Sequence, residues 1–193
     1  MFGADAMKEY EITTQGELHR NLPKGEESDW VQFASLPVIS GKLRVSDPMF
    51  FRDLPPSPTF DVECGTYRVT AKTITYAGDR RVSRLRAMVK EPSSFGPRLG
   101  DVRVDFGQVG IFDPVILDEA GEKMDNAEGE KMIANLDAIR EFGVVQLGPD
   151  ERAVLPLAVS GFGDGGYPIH ELLLDGKRVG LEVVFIGPEV LAG

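Results

Sequence analysis

Hydrophobic and polar residues alternate with a period of two along much of this chain. In residues 83–90, Leu85, Ala87 and Val89 fall on one face and Arg84, Arg86 and Lys90 on the other. Val102, Val104 and Phe106 oppose Arg103 and Asp105. Tyr67, Val69 and Ala71 oppose Arg68, Thr70 and Lys72. Leu43 pairs with Val45 on one face, and Ala153, Leu155, Leu157 and Val159 form another. Such segments are half-buried strands of antiparallel sheets with one face covered.

Two hairpins follow from turn chemistry. Asp175-Gly176 supplies the positive φ angles of a two-residue type I′ turn. The register from that turn sets Leu174 against Lys177, Leu172 against Val179, His170 against Leu181 and Pro168 against Val183. It places His170 among aliphatic side chains. A second hairpin joins residues 66–76 to 81–90, and the phase change at Thr73–Ile74 predicts a bulge.

One stretch breaks the pattern. Met132, Ile133, Leu136 and Ile139 follow helical spacing, Asp125 with Glu128 forms a capping box, and Gly143 after Phe142 reads as a C-terminal stop. The fold class is therefore mainly β (α+β), with antiparallel sheets packed as a sandwich or partly open barrel and one main helix at about residues 126–142. Residues 52–59 and 91–100, rich in Pro, Gly and Ser, read as loops. The chain reads as a single domain, residues 1–193, with a mobile polar segment at 1–29.

Composition narrows the classes. The chain has 193 residues and a net charge of −10, which disfavours binding to a phosphate backbone. Arg84, Arg86 and Lys90 read as one solvated face. A lone cysteine, Cys64, forbids an intrachain disulfide and fits a reducing cytoplasm. The N-terminal residues show no signal-peptide pattern, Met7 is a second candidate start, and no apolar run has the length of a membrane span.

Four segments in order, SDP (46–48), CGTYRV (64–69), VDFGQVGIFDP (104–114) and SGFGDGGYP (160–168), resemble the bacterial family known as domain of unknown function 4241. The resemblance spans roughly residues 40–186. It departs in two places: Val184 stands where that family often has an aspartate before the last phenylalanine, and Phe162 where it usually has Trp. The family implies a pattern and no reaction.

The candidate site lies in these segments. Asp47, Asp105, Asp113 and Asp164, if they converge, offer carboxylates for a divalent cation or an acid–base pair. Against this, Asp47-Pro48 and Asp113-Pro114 are turn formers. The glycine loop 160–168, with Ser160, Asp164 and Tyr167, is either a ligand loop or a turn that needs glycine. Tyr67 and Tyr167 follow glycines into strands and read as core tyrosines anchored to backbone, or as ligand-stacking rings. A Cys64–His170 or Ser160–His170 dyad is the weaker nucleophile reading. No cofactor and no metal is expected. Two functions follow. The first is a non-enzymatic protein-binding domain of immunity or regulatory type, with a protein partner or a second copy, and with no nucleic acid or membrane. The alternative is a ligand- or divalent-metal-binding domain, including a hydrolase, with its aspartates beside the loop.

Overall fold

The structure is a computed structural model and describes residues 25–50, 57–76 and 78–187. The expected alternation builds two antiparallel sheets. The seven-stranded sheet holds β1 (Glu26–Glu27), β2 (Val31–Val38), β5 (Gly65–Tyr76), β6 (Asp79–Met88), β7 (Ser94–Val104), β11 (Gly165–Leu174) and β12 (Lys177–Val184). Its order is β1-β5-β6-β12-β11-β7, with β2 also on the edge of β5 that carries β1. The five-stranded sheet holds β3 (Lys42–Ser46), β4 (Thr59–Asp61), β8 (Gln108–Phe112), β9 (Phe142–Gln146) and β10 (Val154–Val159), in the order β4-β3-β8-β10-β9.

The sheets pack face to face as a sandwich, and neither closes into a barrel. Tyr67, Val69, Leu85, Leu181 and Val183 of one share a buried core with Leu43, Val45, Val109 and Ile111 of the other. The second face of the five-stranded sheet is covered by helices α1 (Pro114–Lys123) and α2 (Asn126–Ala138). Ile116, Leu117 and Leu136 pack there on Phe112, Val145, Leu155 and Leu157. No helix among the described residues is long and apolar enough to cross a membrane.

The helical region has two helices where one is expected, and the expected one ends early. The Asp125–Glu128 capping box forms, with reciprocal bonds of 2.9 and 3.2 Å. The helix stops at Ala138, however, and Gly143 lies inside β9, whose residues 142–146 pair with β10. Ladder bonds outweigh the C-terminal signal there. The second helix, α1, starts at Asp113-Pro114, a pair expected to form a turn. Asp at the N-cap and Pro at the first helical position are equally a helix start.

Two further expectations change. Residues 94–100 are not a connector but the first part of β7. Among the described residues that strand pairs only with β11, and an edge strand tolerates Pro97. Phe106 does not share the face of Val102 and Val104, because β7 ends at Val104 and Phe106 is exposed. Residues 1–24 and 51–56, which carry most of the polar N-terminal segment and of the Pro-rich loop, lie outside the described residues. Glu26–Glu27, at the end of that segment, form β1.

Both hairpins form. Lys72/Thr73 carries the bulge predicted in the first. In the second, Asp175 and Gly176 have φ of 50° and 75°, and Leu174 pairs with Lys177. A further bulge then shifts the register by one: Leu172 pairs with Gly180, His170 with Glu182 and Ile169 with Val183. His170 is thus set opposite a carboxylate and not among aliphatic residues. Gly180 lies against β6 so closely that a Cβ there would sit 2.3 Å from the Ala87 carbonyl oxygen. Gly180→Ala is expected to cost about 2–3 kcal/mol of unfolding free energy by forcing β12 away from β6, measured by urea denaturation.

Candidate functional site

The chain passes between the sheets at β2→β3, β4→β5, β7→β8 and β10→β11. All seven candidate residues lie in these crossings or brace them. Asp113 caps α1, its Oδ1 accepting from the Val115 and Ile116 amides at 2.9 and 3.3 Å. Its Oδ2 accepts from the Ile39 and Ser40 amides at 2.7 and 2.8 Å, at the β2→β3 crossing. Asp47 Oδ2 accepts from the Asp105 and Phe106 amides at 3.0 and 2.8 Å, at the β7→β8 crossing, while its Oδ1 holds the Met49 amide. Both aspartates are buried. A buried carboxylate with its lone pairs on backbone N–H groups is a structural clamp.

The tyrosines act alike. Tyr67 Oη donates to the Glu63 carbonyl at 2.8 Å, four residues back, at the β4→β5 crossing. Tyr167 Oη donates to the Gly163 carbonyl at 2.8 Å, again four residues back. Gly65 and Gly165, two residues before each tyrosine, have φ of 156° and 151°, a region that favours glycine. Burial, aided by Glu63 and Cys64, pushes the Tyr67 hydroxyl up to about 12, and burial also raises that of Tyr167.

The glycine loop is the β10→β11 crossing. It joins different sheets, so it is not the turn of a meander. Ser160 Oγ donates to the same Gly163 carbonyl at 2.6 Å, and the Gly163 amide returns to the Ser160 carbonyl. Gly161 has φ 59°, and a Cβ there would come within 3.1 Å of Phe185 and 3.2 Å of the Val82 carbonyl. Arg81 holds the Gly161 carbonyl at 3.0 Å and lies over the Phe162 ring.

The four aspartates do not meet. Asp47 and Asp113 flank opposite ends of the β3–β8 pair, and four residues of strand separate them by about 13 Å. Asp105 is exposed and pairs with Arg103 at 3.4 Å, and Asp164 is exposed. Among the described residues no group of three or more His, Cys, Asp or Glu is placed to hold a metal ion. The dyads do not assemble either. Three strand spacings, about 14 Å, separate the β5 edge near Cys64 from His170, and Ser160 is turned to Gly163. The His170 ring stacks on Phe95 with Nδ1 3.3 Å from the Gly96 carbonyl.

Asp47, Asp105 and the glycine loop nevertheless share one end of the sandwich. The Ser160 amide donates to the Gly107 carbonyl at 2.9 Å, beside the turn that Asp47 clamps. A cleft of about 170 Å³ opens there, lined by Ser46, Phe50, Ser57, Asp101, Arg103 and Asp105, among others. Its serine hydroxyls lie 2.7 Å apart.

A second constellation was not visible in the sequence. Arg84 and Arg86 are not a solvated face. Both pair with Glu182, which is fully buried on the face of the large sheet opposite Leu181 and Val183. Glu27 reaches in from β1 to Arg84 Nε (3.0 Å), Lys72 Nζ (3.1 Å) and the Ser83 hydroxyl (2.9 Å), which the β5–β6 bulge turns outward. The Trp30 ring lies 3.8 Å from the Arg86 guanidinium carbon and 5.3 Å from Lys72 Nζ. Val184, the departure from the family pattern, pairs with Arg84, and Glu182 two residues earlier supplies the carboxylate. Glu27 lies 57 residues from Arg84 along the chain, so no local pattern announces the pairing.

The chain matches no protein-family model, no curated protein and no solved structure. These comparisons neither support nor refute the resemblance to domain of unknown function 4241, which rests on the four quoted segments alone.

Asp113→Ala is expected to lose at least about 3 kcal/mol in urea denaturation, since four amides lose their acceptor, and Asp113→Asn to lose less. In an ultraviolet titration one tyrosine is expected to ionise near pH 12, and Tyr67→Phe to remove it. The linked stability is complete below the unfolded tyrosine value of about 10 and is lost as pH rises toward 12. For Glu27 burial raises the pKa, but bonds from Lys72 and Ser83 and the Arg84 charge outweigh it and hold the group below 4.5. Its contribution is present above that value and is lost as pH falls through the lowered one. The emission of Trp30, the sole tryptophan, is expected to stay constant down to about pH 4.5 and shift red below it, and Glu27→Gln to remove that step.

Proposed function

We propose that this protein is a non-enzymatic protein-binding domain of immunity or regulatory type, acting in the cytoplasm on a protein partner or a second copy of itself. The observation that carries the reading is strand β7. It spans Ser94–Val104 and pairs with β11 alone, so among the described residues its other edge has no ladder partner. An open edge is a template for an added strand. Exposed aromatic residues flank it: Phe95 is 48% exposed at the start and Phe106 57% just past the end, the latter against Phe50. Between them Arg98, Asp101, Arg103 and Asp105 form exposed ion pairs that deter indiscriminate pairing while leaving a charge pattern to be matched. The net charge of −10 favours a basic partner.

The alternative, a ligand-binding domain, draws support from the cleft beside β7, where hydroxyl, carboxylate and guanidinium groups surround about 170 Å³. Its chemistry fits a small polar ligand such as a sugar better than a metal ion, given the scattered aspartates.

Affinity capture from the source cell and native mass measurement test the first reading. The expected result is a stoichiometric partner or a dimer, weakened about tenfold by Phe95→Lys with Phe106→Lys while the thermal midpoint is unchanged. Recovery of neither partner nor dimer rejects it.

A further inference from the structure

The network beneath Trp30 belongs to a face separate from the β7 edge. Three cations, Lys72, Arg84 and Arg86, project from adjacent strands β5 and β6. One carboxylate of the sheet itself, Glu182, lies between the two arginines. The sheet face alone therefore carries an excess of two positive charges. The excess is met by residues 26–30, which run along the β5 edge ahead of β2. Glu27 contributes its carboxylate to Lys72 and Arg84, and Trp30 its ring to Arg86 and Lys72.

The backbone hold on this segment is slight. Its ladder is two residue pairs, Glu26 with Thr75 and Glu27 with Ile74, and Ser28 exchanges bonds with Thr73 at 2.8 and 3.0 Å. A buried hydroxyl also lies in the row: Thr70, paired with Arg86 in the ladder and 4% exposed, has no hydrogen-bond partner for Oγ1. A buried polar atom left so is a cost, and the internal segment does not meet it.

We propose that this face is a recognition site for an extended acidic segment of a partner protein, with a carboxylate three residues before an aromatic ring, and that Glu27 and Trp30 are its internal occupant. The ligand takes the place of β1 on the edge of β5 at Ile74 and Thr75, as a short strand. Its carboxylate bridges Lys72 and Arg84, and its ring stacks on Arg86. Charge-assisted bonds and ring stacking on a guanidinium are the contacts for which arginine is suited. The internal segment holds the site closed, so a partner binds by displacing it, and affinity is lowered by the fraction of time the site is filled.

The probe is a synthetic peptide of residues 25–31, Gly-Glu-Glu-Ser-Asp-Trp-Val, added to the full chain carrying Glu27→Ala and Trp30→Ala. That variant has no tryptophan, so the peptide's own fluorescence anisotropy reports binding. Saturable binding is expected, at least about tenfold tighter than to a Trp30→Phe variant that keeps Glu27. A peptide with Gln at the Glu27 position is expected to bind about tenfold more weakly, and one with Leu at the Trp30 position more weakly still. If the double variant does not fold, Trp30→Phe, also free of tryptophan, is titrated instead with the same three peptides. No saturable binding to a folded variant, or equal binding of the three peptides, overturns the proposal. Neither result bears on the β7 edge, which Phe95 and Phe106 test.

Discussion

Each time the chain leaves one sheet for the other, it carries backbone amides and carbonyls beyond the reach of either ladder, and side chains must meet them. That constraint governs this molecule. Two corners carry amides that need acceptors, and a buried aspartate meets them at each: Asp113 at β2→β3 and Asp47 at β7→β8. Two carry carbonyls that need donors, and a tyrosine hydroxyl meets them: Tyr67 at β4→β5 and Tyr167 at β10→β11. An ionised carboxylate is acceptor-only with four lone-pair sites, and a phenol is a donor on a long rigid arm. The residue types follow from what each corner lacks.

This explains how much was legible. Strands β3, β5, β6, β10, β11 and β12, the end of β7, both hairpin turns and the Asp125 capping box are local patterns and read directly. The candidate residues were also picked out, because an aspartate before proline or a tyrosine after glycine stands out against strand alternation. Their role was open because the partner amides lie far along the chain: Asp47 acts 58 residues away and Asp113 up to 74. The start of helix α1 is ambiguous in the sequence because Asp-Pro signals both a turn and a helix start. The β12 bulge lies at Val179, beside the close approach of Gly180 to Ala87, and such cross-strand contacts are encoded by no single strand. The ion network joins Glu27, Arg84 and Glu182 from three distant segments, so its arginines looked like an ordinary polar face.

The two constellations differ in what they leave available. At the corners every carboxylate oxygen of Asp47 and Asp113 is engaged by backbone, and the geometry is fixed from several sides. On the outer face of the large sheet the charges are engaged by one another and by a short strand. Buried ion pairs contribute little net stability once desolvation is counted, and breaking one by removing a partner is costly. Such a network selects one arrangement of its members more than it strengthens the fold. Glu182 is bound to that logic most tightly, being fully buried between two arginines.

Asp113 also joins two events in the order of folding. One oxygen starts α1 and the other fastens the β2→β3 corner, more than seventy residues upstream. Helix nucleation is normally a local and fast step, whereas closing so long a loop is entropically slow. With one carboxylate shared between them, the helix reaches its full stability only when the distant corner has closed. Because the two oxygens belong to one side chain, the opening of the first turn of the helix is coupled to the opening of the corner.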